Sequence, residues 1–168
     1  MSKVKRKLTT ILATDCVGFS KRMDENEELT LENLKACRSI IDPQIKEFGG
    51  RIFYTAGDSV IAEFESPVEC VNAAIGFQKA INDRNNTLPE ESRLDWRVGI
   101  HLDDVIIEGD NVYGNGVNIA ARLETACSPV QILRSTAVQD QVNKRINFSI
   151  EDAGTKSLKN IDEAFQVY

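Results

Sequence analysis

Apolar and polar positions along the chain divide it into short, well-punctuated elements. Residues 8–15, LTTILATD, have strand composition and end in an aspartate, and the glycine turn Val17-Gly18-Phe19-Ser20 follows. From about Asn26 to Phe48 the apolar positions Leu34, Cys37, Ile41, Ile45 and Phe48 recur at helical spacing. Pro43 lies inside that pattern and predicts a kink or a division, and Gly49-Gly50 predicts the stop. Residues 51–65 read as a β-hairpin turning at Gly57-Asp58-Ser59. Ser66-Pro67-Val68-Glu69 is a helix start, with a capping serine, a proline in the first turn and a glutamate at the capping-box position. That helix directs Val68, Val71, Ile75 and Ile81 inward, and residues 83–93 form a polar loop.

The second half reads in the same way. Residues 94–107 alternate as a long strand, residues 108–116 are a turn-rich loop, and residues 117–127 form a helix. A short strand near 131–133, a helix near 137–142 and strands near 148–152 and 164–168 complete the pattern. The order β-α-β-β-α-β followed by α-β predicts an α+β fold, ferredoxin-like (split βαβ), with a C-terminal αβ extension. Without an internal repeat, a low-complexity segment or a linker, residues 1–168 are expected to form a single domain.

Composition narrows the classes of partner. Hydrophobic residues make up 42% and charged residues 27% of the 168, a soluble globular balance. A net charge of -6 and a pI near 4.9 argue against nucleic acid and anionic membranes as partners. A small phosphorylated ligand stays compatible if metal ions neutralise it locally. The cysteines Cys16, Cys37, Cys70 and Cys127 have no CxxC spacing, which disfavours zinc, and each falls in an apolar segment as a buried free thiol. With no signal-peptide pattern, a reducing cytoplasm is expected. The apolar run after the basic Lys3–Lys7 segment is too short for a membrane span.

Candidate chemistry begins with Asp15 at the end of the first strand and Asp58 in the hairpin turn. In a split βαβ sheet these strands are neighbours, so the two carboxylates can hold divalent cations, or they serve as ordinary turn aspartates. The backbone of Gly18, Phe19 and Ser20 can cradle a phosphate at a helix start. Asn118 and Arg122, spaced i, i+4, share a helix face, either to hold a sugar and a phosphoryl oxygen or as plain polar surface. His101, the only histidine, has no nucleophile motif beside it and reads as a packing or capping residue.

Taken together, the blocks ILATDCVGFS, EFGGRIFYTAGDSVIAEF, RVGIHLDDVIIEGDNVYGNGVNIAARLE and SLKNIDEAFQVY resemble the class III nucleotidyl cyclase catalytic domain over nearly the whole chain. The resemblance implies a homodimer with composite sites. It also implies two divalent metal ions, Mn²⁺ or Mg²⁺, and attack of a ribose 3′-hydroxyl on the α-phosphate with loss of pyrophosphate. By position it makes Asp15 and Asp58 the metal residues, Asn118 the ribose-orienting residue, Arg122 the transition-state residue and Lys159 a ligand of the terminal phosphates.

The chain departs from the family at the two base-reading positions. Adenylyl cyclases carry a lysine where Tyr54 stands and an acidic residue or threonine where Asn111 stands. Guanylyl cyclases typically carry glutamate and cysteine. Tyr54 fills space that the second ring of a purine would need, and Asn111 can both donate and accept, which suits the O4 and N3–H of uracil. The pair resembles the stand-alone uridylate cyclases of bacterial Pycsar antiphage defence. The resemblance implies UTP as substrate, cyclic UMP as product and a separate cyclic-nucleotide-binding effector. A flipped Asn111 amide also suits cytosine, so cytidylate cyclase remains an alternative. So do a purine cyclase with an unusual pocket and a silent nucleotide-binding module.

Overall fold

The computed structural model describes residues 4–143, 145–146, 154–157 and 164–168. Two long strands form its spine. β1 (Lys5–Cys16) and β4 (Trp96–Glu108) pair antiparallel along their whole length, from Lys5↔Ile107 to Cys16↔Trp96. β3 (Ser59–Phe64) lies on the other edge of β1, and β2 (Arg51–Ala56) pairs outside β3. β5 (Asn111–Tyr113) and the parallel β6 (Ile132–Arg134) add to the free edge of β4. The path β2-β3-β1-β4 is the expected split βαβ arrangement, and β5 extends it. β7 (Gly154–Ser157) and β8 (Ala164–Val167) form a separate ribbon.

Helices cover both faces of the sheet. α2 (Glu27–Glu47), α3 (Pro67–Asn85) and α5 (Thr136–Val142) sit over one face, and the largest apolar cluster fills the space with Trp96, Phe64, Phe77, Ile41 and Ile100. Burying each of these side chains contributes about 1.5–3 kcal/mol. α4 (Asn115–Ala126) covers the opposite face, over Ile11, Ala13, Val105 and Val112. Successive side chains of β1 alternate between the two cores, so Leu12 and Cys16 face α2 and α3 while Ile11, Ala13 and Asp15 face α4. α4 lies close on β4 because Gly99 has no side chain. A Cβ there would collide with the Glu124 backbone nitrogen and the Ala120 carbonyl oxygen.

Several expected elements form where the pattern placed them. The Ser66 hydroxyl accepts from the Glu69 N–H and Pro67 begins α3. Val71 and Ile81 of α3 are buried, and Val68 and Ile75 pack against the same cluster. The four cysteines are free and buried.

Other elements differ. α1 (Phe19–Glu25) forms where a turn was expected, seeded by Phe19 packing against the main core. α2 runs through Pro43 as one element, because Ile41 and Ile45 on either side of the proline are both buried. Their packing outweighs the roughly 3 kcal/mol cost of an interior proline. The loop 108–116 holds the short strand β5 and the first turn of α4. Of the two tail strands, the second falls at β8, and residues 148–152 lie outside the described residues.

Candidate active site

Strand register brings the two aspartates together. Thr14 pairs with Val60, which sets Asp15 beside the turn between β2 and β3. Gly57, at φ 58°, makes that turn, and Asp58 follows it. The backbone N–H of Cys16 donates to Asp58 Oδ2 at 2.9 Å, tying the end of β1 to the hairpin turn. Burial raises the Asp58 carboxyl above its ordinary range, and the neighbouring Asp15 charge adds to the rise.

Arg97 is the partner of Asp15, and it was not among the candidates read from the sequence. It stands directly opposite Asp15 across β1 and β4. Its Nε donates to Oδ1 at 2.7 Å and its Nη2 to Oδ2 at 3.1 Å, a bidentate pair. Its Nη1 donates to the Thr125 carbonyl at 3.1 Å, which braces the last turn of α4. Glu124 is the second addition. It is buried under α4 and faces Asp15. Burial pushes its carboxyl up to about 9, with Asp15 adding to the rise.

Asp58 and Glu124, whose carboxyls are pushed up chiefly by burial, form with Asp15 a set of hard oxygen donors short of positive charge. That donor chemistry fits a divalent cation. Among the described residues no cluster of three or more His, Cys, Asp or Glu side chains is arranged as a metal cage. Asp15 and Asp58 are two hard oxygen-bearing side chains, fewer than the roughly six ligands a divalent cation takes.

Asn118 and Arg122 do not join the aspartates within one chain. Gly116, Ala120 and Glu124, each four residues apart, are buried on the face of α4 that lies on the sheet. Asn118 lies about 200° around the helix from Gly116, so it points away from the sheet and is exposed. Arg122, on the same outward side, is half-buried.

Tyr54 and Asn111 lie on elements that meet. Tyr54 stands on the outer strand β2 and is 52% exposed; Asn111 opens β5 and is also exposed. Arg51 on β2 reaches the Asp110 carbonyl at 3.0 Å. Gly18, at φ 67°, Phe19 and Ser20 open α1, and the Val17 N–H is committed to the Asp95 carbonyl at 2.8 Å. Lys159 lies outside the described residues. His101 is buried, with Nδ1 2.7 Å from the Ser135 hydroxyl and Nε2 3.5 Å from Asp103, away from the aspartates.

Known proteins share the family and the fold. The family described as adenylate and guanylate cyclase catalytic domain matches residues 2–168. A Rhizobium meliloti protein named "Putative adenylate cyclase 3" is 34% identical over 98% of this chain and 28% of its own length. A Myxococcus xanthus serine/threonine-protein kinase, pkn2, is 28% identical over 99% of this chain and 20% of its length. The chain thus spans less than a third of either relative. Among solved structures, an adenylate/guanylate cyclase/hydrolase from Silicibacter pomeroyi superposes with a TM-score of 0.91 at 34% identity, covering 98% of this chain and 96% of that one. The adenylyl cyclase CyaB from P. aeruginosa shares the fold, with a TM-score of 0.86 at 23% identity over 99% of this chain and 95% of that one. With one family spanning residues 2–168, the chain belongs to the adenylate and guanylate cyclase catalytic domain family, the class III nucleotidyl cyclases.

Proposed function

We propose that this domain is a nucleotidyl cyclase that converts UTP to 3′,5′-cyclic UMP and pyrophosphate. The observation that carries the cyclase reading is the pairing of Asp15 and Asp58 at one end of the sheet, with Asn118 and Arg122 intact on α4. Divalent cations held by Asp15 and Asp58 supply charge neutralisation and activation of the 3′-hydroxyl when bound. Asn118 orients the ribose so that its 3′-oxygen lies in line with the α-phosphorus. The new bond joins O3′ to the α-phosphorus, the bond from the α-phosphorus to the bridging oxygen breaks and releases pyrophosphate, and the 3′-hydroxyl proton passes to water. Arg122 meets the charge that builds on the phosphoryl oxygens. Gly18, Phe19, Ser20 and Lys159 receive the outer phosphates.

Because Asn118 and Arg122 point away from the sheet face that carries the aspartates, the working unit in this reading is a homodimer. Each site takes the aspartates of one copy and the α4 pair of the other. The pyrimidine preference rests on Tyr54 and Asn111, which replace the side chains the family uses for adenine and guanine. The same pair supports a role in antiphage signalling through a separate effector that binds the cyclic product. The relatives' names favour a second reading, an adenylate or guanylate cyclase with an altered base pocket.

One assay tests the readings together. The purified protein is incubated with Mn²⁺ and ATP, GTP, CTP or UTP, and the products are identified by mass spectrometry. Cyclic UMP as the main product supports the uridylate assignment. Cyclic CMP, AMP or GMP as the main product replaces it, and no cyclic product from any triphosphate overturns the cyclase reading.

A further inference from the structure

A buried acid anchors the strand that carries Tyr54 to the turn that carries Asn111. Glu63, on β3, has a side chain only 8% exposed on the face of the sheet opposite α2 and α3. Its Oε1 receives Arg51 Nε at 3.1 Å and Nη2 at 3.0 Å, and Lys7 Nζ at 3.2 Å. Its Oε2 is buried with no hydrogen-bond partner among the described residues. Arg51 still has one arm to spend. Nη1 crosses to the Asp110 carbonyl at 3.0 Å, immediately before Asn111.

The local backbone is built around this span. Arg51 pairs with Glu63 and Ile52 with Ala62, but Tyr54 pairs with Ile61, so Phe53 is the extra residue of a β-bulge. Without the bulge, Arg51 and Tyr54 would point to opposite faces of the sheet. With it, Tyr54 shares a face with Ile61, and hence with Glu63 and Arg51. An apolar floor lies beneath the span, where Phe53 and Ile61 of the β2–β3 hairpin and Ile107 of β4 pack around a cluster that contains Val112. Phe53 precedes Tyr54 and Val112 follows Asn111, so both base-reading positions are flanked by residues of the same apolar cluster.

We propose that Arg51, oriented by Glu63, is a specificity-positioning residue that fixes the separation between Tyr54 and Asn111. The proposal rests on the base-reading roles given to those two residues above. An exposed ion pair alone would have little consequence. Here the acid is buried, two guanidinium nitrogens converge on its Oε1 and the third reaches a backbone carbonyl, so the orientation of Arg51 is set by two acceptors at once.

Arg51→Lys separates this role from neutralisation of Glu63. A lysine ammonium keeps a positive charge beside Glu63 but lacks the fork that holds Glu63 and Asp110 at once. The homodimeric protein is assayed for kcat/KM with all four nucleoside triphosphates, alongside Glu63→Gln, Tyr54→Ala and Asn111→Asp. Hydrogen exchange follows the amides of Asp110–Val112. The expected result for Arg51→Lys is a melting temperature near that of the wild type, faster exchange at Asp110–Val112, and a preferred-to-second base ratio reduced by about three- to tenfold. Glu63→Gln is expected to move the ratio in the same direction. An unchanged ratio in Arg51→Lys, where Tyr54→Ala or Asn111→Asp changes it, overturns the tie alone. An unchanged ratio in Tyr54→Ala and Asn111→Asp overturns the base-reading assignment itself, and the role of Arg51 with it.

Discussion

Asp15 and Arg97 face each other across β1 and β4, and both carboxylate oxygens of Asp15 are held by the guanidinium, at 2.7 and 3.1 Å. Arg97 is thus the counter-charge of a cluster that also contains Asp58 and Glu124. Removing it leaves Asp15 half-buried beside other acids. Arg97→Ala is expected to lower unfolding stability in chelator by about 1–3 kcal/mol, toward the lower end because the arginine is itself partly exposed. Millimolar Mn²⁺ is expected to restore more stability to this variant than to the wild type, since a cation bound there replaces the lost charge. Urea denaturation in EDTA and in Mn²⁺ measures both. A variant as stable as the wild type in EDTA contradicts the counter-charge role. Asp15→Ala and Asp58→Ala are expected to stay folded and to lose cyclisation under saturating metal.

The outward placement of Asn118 and Arg122 gives a second expectation. If each site takes the aspartates of one copy and the α4 pair of its partner, Asp58→Ala and Arg122→Ala are each inactive alone. Mixed in equal amounts with free subunit exchange, they form heterodimers that contain one intact site. Recovery of about a quarter of wild-type activity is expected, since half the dimers are mixed and each has one working site of two. Native mass spectrometry of differently tagged subunits verifies exchange. No recovery with exchange verified means that each chain works alone.

Much of this arrangement was readable in the chain itself. The cap Ser66-Pro67-Glu69 and the Gly57-Asp58 turn are local signals, so α3 and the β2–β3 hairpin follow from short range chemistry. α1 was not legible, because seven residues make too few turns for a periodic stripe and its anchor, Phe19, acts through the tertiary core. Arg97 was missed for a related reason. Its partner lies 82 residues away and is set only by the β1–β4 register. Glu124 did leave a signal. It stands four and eight residues beyond Ala120 and Gly116, so it shares the stripe of small residues that α4 presses onto the sheet.

His101 gives a pH expectation independent of the acidic cluster. Burial lowers its pKa below the ordinary 6.5, opposed by Asp103 on the same strand. Folding therefore favours the neutral imidazole, and the unfolded chain takes up the proton first. The contribution of His101 to stability is complete above pH 6.5 and is lost as pH falls from there through the folded-state value. Between about pH 7.5 and 5 the raised Glu124 carboxyl strengthens the fold as pH falls in both proteins, so the readout is the difference between them: the stability of the wild type minus that of His101→Gln, from urea unfolding, is expected to decrease as pH falls through 6.5. Equal slopes in the two proteins contradict the assignment.

The base preference offers the sharpest test, because Tyr54 and Asn111 make opposite kinds of prediction. Tyr54 is proposed to exclude purines by occupying volume. Truncation to alanine should then weaken discrimination against ATP and GTP even where turnover of UTP also falls. Asn111 is proposed to read the pyrimidine edge by donating to O4 and accepting from N3–H of uracil. An aspartate at that position only accepts, so it faces the lone pairs of O4 but can accept a hydrogen bond from the amino group of cytosine. Asn111 is exposed in the free chain, but an acceptor covered by the bound base and left facing O4 costs roughly 1–3 kcal/mol, so Asn111→Asp is expected to shift the CTP-to-UTP ratio by about tenfold or more. The measure is kcat/KM for each of the four triphosphates, since that ratio reports discrimination in the transition state. A size effect at Tyr54 with no hydrogen-bond effect at Asn111 would place the uracil edge against some other donor. No effect at either residue would remove the physical basis for a pyrimidine pocket.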